Sequence, residues 1–319
     1  MFNFTVKQTA PRLFVIINRL NYYNILAMLA SACLAIFIPF ELVLLSYAIL
    51  GPAHYLTEIS WLNQRQFFTV KKYDYLFLLL VIAAALLLKL SLATLLFYVF
   101  GLSFILLAVK GRLWQMLAFG VLILAGYFLL TNNLCQIIFG LYIPTLIHVY
   151  LFTGAFLLLG ALKDKQISGY LAFTVFLACP ILLALLFTGY TPLPTRWAIS
   201  NYHQFAWLNS ITLRNPYLHI YTDSASIILT RIIAFAYTYH YLNWFSKTSL
   251  IKWHRLSVPG AVIIGVIWLA SVALYFYNYR LGFKWLFLLS LAHVIMEFPL
   301  NHRSFMGIGR QLKLRLVKQ

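Results

Sequence analysis

Acid is nearly missing from this chain: six aspartates and glutamates stand among 319 residues, and all charged residues together make up only 9%. A soluble domain carries about 25% charged residues, so an aqueous globular fold is excluded. Cysteine is just as sparse. Cys33, Cys135 and Cys179 sit in apolar runs at unrelated spacings, which excludes a disulfide framework and a zinc knuckle. Internal repeats and low-complexity segments are absent, so nothing points to the inverted repeats of many transporters. Residues 1–22 carry Lys7, Arg12 and Arg19 but no short apolar core followed by a small-residue cleavage site. A mature, interfacial N-terminus is expected there rather than a secretory signal.

What is present is apolar: 63% hydrophobic and 18% aromatic residues, with a mean hydropathy of +0.87. At about 20 residues per spanning helix, the length supplies about ten spans and leaves no room for a soluble domain. The expected fold is an all-α polytopic membrane bundle, one integral domain over 1–319. Apolar runs fall at 24–38, 40–61, 74–89, 91–109, 114–131, 135–161, 168–190, 226–246, 257–278 and 283–300. Pro39 divides the first pair, and Lys89 divides the run from Tyr75 to Val109; both are read as tight hairpins.

Twenty-four Lys and Arg give the chain a formal charge of +18. Ten alternating spans put eighteen of them on one side, with Lys89, Arg196, Arg214, Arg280 and Lys284 on the other and Arg231 inside a span. That asymmetry is the signature of cytoplasmic loops, so both termini are expected inside, with 303–319 as a basic cytoplasmic tail. It also explains the positive charge by orientation and anionic lipid rather than by nucleic acid. The expected location is the inner membrane of a bacterium. The connection 191–225, with Pro192, Pro194, Trp197, Trp207 and Pro216, falls on the non-cytoplasmic side. It either lies at the interface and caps a cavity, or merely covers helix ends.

An ionisable side chain near the bilayer centre costs about 2.5–3.5 kcal/mol, so each needs a reason. The only glutamates, Glu41, Glu58 and Glu297, all fall in expected spans. Two of them follow a histidine by four residues, His54 before Glu58 and His293 before Glu297. Residues at i and i+4 share a helix face, so each pair aims an imidazole and a carboxylate in one direction, a set that suits iron or zinc. His148 and His240 lie in two further spans. The four histidine-bearing spans all run towards the cytoplasm, and His54, His240 and His293 lie roughly 10 Å before their inner ends at 1.5 Å per residue. His148 counts higher. Four histidines on parallel-running helices describe a metal site in a bundle core, with Glu58 and Glu297 as ligands or supporting acids.

Glu41 is expected to snorkel or cap a turn, and Arg231 to meet a substrate group or a backbone carbonyl. His302 is open between supporting the site and meeting a headgroup. Aromatics crowd the candidate ligands, and Tyr55, Tyr150, Tyr237 and Trp244 are the candidate walls of an apolar substrate tunnel.

The order Gly51-Pro-Ala-His54 with an acid four later, Leu146-Ile-His148, Ala236-Tyr-Thr-Tyr-His240-Tyr-Leu-Asn-Trp-Phe-Ser246, and Ala292-His293 through Glu297 to His302 resembles the Brp/Blh family of membrane β-carotene 15,15'-dioxygenases. The resemblance lies in four short patches between about 50 and 303. It implies a multi-helix enzyme that holds ferrous iron through histidines and splits the central carotene double bond with O2 to give retinal. His54, His148 and His240 match family iron histidines, His293 matches a C-terminal family histidine, and Glu58 stands where the family has aspartate. Trp244 stands where the family has a second histidine, and 191–225 is longer than in the typical member. Both a retinal producer and a relative with another apolar substrate fit this pattern.

Three function classes follow. The first is a non-haem iron oxygenase acting on a carotenoid or related apolar lipid with O2. The second is an intramembrane zinc hydrolase with a glutamate as general base. The third is a haem-binding or carrier membrane protein using histidine axial ligands.

Overall fold

The computed structural model describes residues 10–65, 91–209, 219–247, 252 and 256–317. Among these residues the chain is helical, with no β-strand. The hydrocarbon core offers no partner to a bare N–H or C=O, so an apolar run must satisfy its own backbone, and a helix does so within one segment. The elements are α1 (Ala10–Phe37), α2 (Pro39–Arg65), α3 (Leu92–Ala108), α4 (Arg112–Leu129), α5 (Asn133–Asp164), α6 (Ile167–Leu185), α7 (Arg196–Tyr202), α8 (Ser224–Ser246), α9 (Val258–Tyr277) and α10 (Tyr279–Leu316). Seven of them, α1, α2, α4, α5, α6, α9 and α10, are long and apolar enough to cross a membrane. Among the described residues the protein is thus all-helical, and its long apolar helices are those of a membrane protein.

The few polar side chains start helices. Ser91, Asn132, Thr195, Asp223, Ser257 and Asn278 each accept a hydrogen bond from a backbone N–H two or three residues on, satisfying donors the first turn leaves free. Gly111, at φ +90°, makes the turn between α3 and α4, a conformation that a Cβ would oppose.

The boundaries differ from expectation in three places. α1 starts at Ala10 and its apolar stretch at Phe14, well before residue 24. Arg19 does not end it, because one exposed basic side chain covers apolar surface with its stem while its head reaches water. α10 runs through Arg303 and Arg310 to Leu316, so most of the expected tail is helix, as its Lys, Arg, Gln and Leu content favours. The described part of the connection 191–225 holds α7 and a 3-10 turn, His203–Asn209, and its Tyr202, Phe205, Ala206 and Leu208 are buried in the main core. Residues 210–218 lie outside the described residues. The expected span 74–89 and its hairpin at Lys89 lie outside the described residues.

α8 is the axis of the bundle. It packs on α1, α2, α5 and α6, while α10 packs on α2, α3, α5 and α9. Buried residues run along α8 from Ser226 to Trp244, whereas α4 buries only Gly126 and turns its remaining residues outward.

Two stretches are wider than an α-helix. Ser46–Leu50 in α2 and Ile138–Phe152 in α5 are π-helical. Pro144 lies inside the second and Pro52 two residues after the first. Proline donates no N–H and crowds the carbonyl four residues back; a wider turn carries the chain past that carbonyl. Both wide stretches adjoin or contain a candidate ligand, His54 and His148.

Candidate metal centre

Four helices meet at one point inside the bundle. α2 brings His54 and Glu58, α5 His148, α8 His240, and α10 His293 and Glu297; all six side chains are buried. His54 Nε2 stands 3.1 Å from Glu58 Oε2 and 3.1 Å from His240 Nε2. His148 Nε2 stands 3.2 Å from Glu297 Oε2. The imidazole rings close the circle, with centroids 5.3 Å apart for His54 and His293, 5.1 Å for His148 and His293, and 5.4 Å for His148 and His240.

These spacings fit a metal ion. Donors bonded to one ion at about 2.0–2.1 Å stand roughly 2.9–3.4 Å from each other at octahedral to tetrahedral angles. Two groups of three have all their donor atoms within 4.8 Å of one another: His54, His240 and His293, and His148, His293 and Glu297. His293 belongs to both. Several of the donors have no hydrogen bond of good geometry, among them a ring nitrogen of His148 and of His293 and one oxygen each of Glu58 and Glu297. Buried polar atoms are almost always partnered, and a cation at this point would give each of these groups a partner.

Surrounding side chains fix the rings. Thr153 Oγ1 is 2.9 Å from His240 Nδ1, so Nε2 is the atom left to face the centre. Tyr55 stacks on His293 with centroids 4.3 Å apart, and its hydroxyl shares a 2.6 Å hydrogen bond with Tyr241. Trp244 donates from Nε1 to Thr57 Oγ1 at 2.9 Å and sets its ring edge-on to His54. Thr57 in turn donates to the Ala53 carbonyl at 2.7 Å.

The remaining sequence candidates fall as follows. His148 lies level with the other three histidines, because α5 continues to Asp164 and a count from its end misjudges the depth. Glu297, four residues after His293, faces His148 on the neighbouring helix. Tyr150 is two residues past His148, turned well away from it round the helix, and packs on Phe176 in a separate apolar groove of about 740 Å³. Tyr237 lines a small space with Tyr47 and Phe205, one turn from the centre. Glu41 accepts a 2.6 Å hydrogen bond from the Thr195 N–H and so holds the start of α7. Arg231 donates to the carbonyls of Phe187 and Tyr190 beyond the end of α6. His302 Nε2 lies 3.0 Å from the Phe100 carbonyl and ties α10 to α3.

Two neighbours of the site escaped the sequence reading. Asn301, fully buried, continues the step of four from His293 through Glu297, and that step was a usable signal. Thr153 had none, since its contact with His240 crosses helices.

A cavity of about 420 Å³ opens from the centre, with His54, Glu58, His240 and Glu297 at one end and Trp61, Phe156, Leu159, Trp244 and Leu300 along its walls. It falls within the size range of small-molecule pockets, about 300–1,000 Å³. No protein-family model, curated protein or solved structure matches the chain.

Proposed function

We propose that the protein is a ferrous-iron oxygenase that uses O2 to oxidise a long apolar polyene or lipid, with cleavage of a carotenoid to an aldehyde such as retinal as the first reaction to test. The observation that carries this reading is the group His148, His293 and Glu297. Two imidazoles and one carboxylate are the donor set of non-haem iron(II) oxygenases, which keep positions open for O2 and substrate. Iron, when bound, supplies the O2 chemistry that side chains lack.

The chain supplies the rest. His54 and His240 extend the donor set on its other side, and Thr153 holds the His240 ring in place. Glu58 lies within reach of a proton on His54. Trp61, Phe156, Leu159 and Leu300 wall the cavity, orienting an apolar chain and excluding water. The four patches resembling the carotene dioxygenase family contain His54, His148, His240, His293 and Glu297, which supports the same reading. The basic asymmetry supports ten spans with both termini cytoplasmic, in a bacterial inner membrane.

A second reading rests on the other group. His54, His240 and His293 form a three-histidine set like that of catalytic zinc, with Glu58 beside it as general base. Metal analysis of gently purified protein separates the two, since zinc has no redox chemistry, and a Soret band would identify haem instead. Expression in a carotenoid-producing host, with His54→Ala as control, tests the reaction. Loss of colour with appearance of an apocarotenal is expected; unchanged pigment in aerated, iron-replete cells rules out carotenoid cleavage.

A further inference from the structure

The cavity has a second end that an uncharged hydrocarbon does not explain. Four helices line it along their length: from His54 to Trp61 on α2, Thr153 to Lys163 on α5, His240 to Lys247 on α8, and Glu297 to Ser304 on α10. Each pair begins beside the metal centre and ends away from it. At 1.5 Å per residue, Lys247 lies roughly 10 Å from the level of His240, and Lys163 roughly 15 Å from that of Thr153. The walls between are Phe156, Leu159, Trp244 and Leu300, so the cavity is apolar in its middle, has donors at its deep end and is lined by two lysines whose helix positions lie towards its other end, Lys247 near enough for its charge to act on His240.

Both lysines stand at helix C-termini, where the dipole favours a cation. That accounts for their place in the sequence but not for where Lys247 points. Its side chain is half-buried and faces the cavity, while Lys163 is exposed at the rim. Neither lysine forms a salt bridge among the described residues; Asp164 acts on Lys163 electrostatically, Lys247 has no carboxylate beside it, and the two glutamates that share the cavity lie at its other end. A cation withdrawn from water without a partner is costly. Burial pulls the Lys247 ammonium down to about 8.

We infer that the cavity binds an amphiphile, a long unsaturated chain ending in an anionic group, with the anion held by Lys163 and Lys247 and the chain running inward to the histidines. This deepens the oxygenase reading and rests on it for the fate of the chain: the bond presented to the centre would lie roughly 10–15 Å from the anionic head. A carboxylate amphiphile and an anionic bilayer phospholipid share this chemistry, and the inference commits to the carboxylate.

The test is binding of cis-parinaric acid, a conjugated-polyene fatty acid, against its methyl ester. Both are followed by fluorescence on protein as purified in neutral detergent, with metal content measured on the same sample. A charge-assisted hydrogen bond contributes about 1.5–3 kcal/mol, so the acid is expected to bind at least about tenfold more tightly than the ester. In Lys163→Gln with Lys247→Gln the acid should fall to the level of the ester while the ester is unchanged, and Arg at both positions should restore the difference. Equal affinity of acid and ester in the unaltered protein, or a preference that survives the double Gln change, would overturn the inference. So would displacement of the acid by phosphatidylglycerol nanodiscs but not by oleate, which would make the lysines an anchor for bilayer lipid. Zinc or no metal in the sample would defeat the oxygenase reading and leave the acid preference standing.

Discussion

The two carboxylates of the centre come from the same sequence pattern and end in different company. Glu58 faces the histidine four residues before it on its own helix, at 3.1 Å. Glu297 also follows a histidine by four, yet stands 3.2 Å from His148, a residue of α5. A spacing of four puts two side chains on one face and stops there; the neighbouring helix decides which of them meet. One carboxylate contact is thus local, readable from α2 alone, and the other exists only once α5 and α10 pack.

The largest effect should come from the residue that both groups of three share. His293→Ala removes a donor from each, and metal content should fall to background with loss of any turnover, checked by elemental analysis of the purified variant. Because an ion that binds only the folded state stabilises it, chelation should lower the Tm of the unaltered protein and leave that of His293→Ala unmoved.

Next come the two glutamates, and here the comparison can break. Glu297→Gln removes the carboxylate of a three-donor group and should cost more metal affinity than Glu58→Gln. A carboxylate supporting a ligand histidine is worth about 10–100-fold in affinity or activity, the range expected for Glu58→Gln. Titration with ferrous iron in competition with a chelator measures both, and equal losses would erase the distinction between the two carboxylates. Thr153→Val should follow with a smaller loss, at the lower end of that range, because it frees the His240 ring without removing a donor. Tyr150→Phe should leave metal content unchanged, since that side chain lies in the separate groove.

The smallest effect concerns pH. Lys247 carries its charge below about 8 and loses it above, so the advantage of parinaric acid over its ester should shrink as pH rises through that value. Taking the difference between acid and ester removes the part common to both ligands. The other charged or titratable groups facing the cavity are Lys163, Glu58, Glu297, His54 and His240. Lys247→Arg, which stays charged, should flatten the change.

Much of the fold was legible because the bilayer leaves a long apolar run little choice but a helix. The ligand candidates were legible for a related reason: a histidine or glutamate in such a run is costly, so each one stands out. Contacts between helices were not legible. The pairing of Glu297 with His148, the hold of Thr153 on His240 and the cap that Glu41 forms on α7 join residues more than 80 positions apart. α8 shows a second limit. It carries the polar and aromatic residues of the core, so it falls outside the set of helices apolar enough to cross a membrane by composition, although it is the most deeply buried. Tyr150 shows a third, since nearness in sequence to His148 says little about direction round a helix.

The wide turns in α2 and α5 make chain length itself a functional quantity. Each residue of a helix turns the next by roughly 100°. Ile138–Phe152 holds several wide turns, each with about one residue more than an α-turn, so deleting one residue between Ile138 and Pro144 cannot restore ordinary bonding along the stretch. With the remaining turns still wide, it would swing His148 round the axis and away from His293. Such a deletion would leave a helix and a broken centre. Tolerance to insertion and deletion, ordinarily a property of loops, should therefore be lowest at these two points, and a chain shortened there would keep its fold while losing its ion.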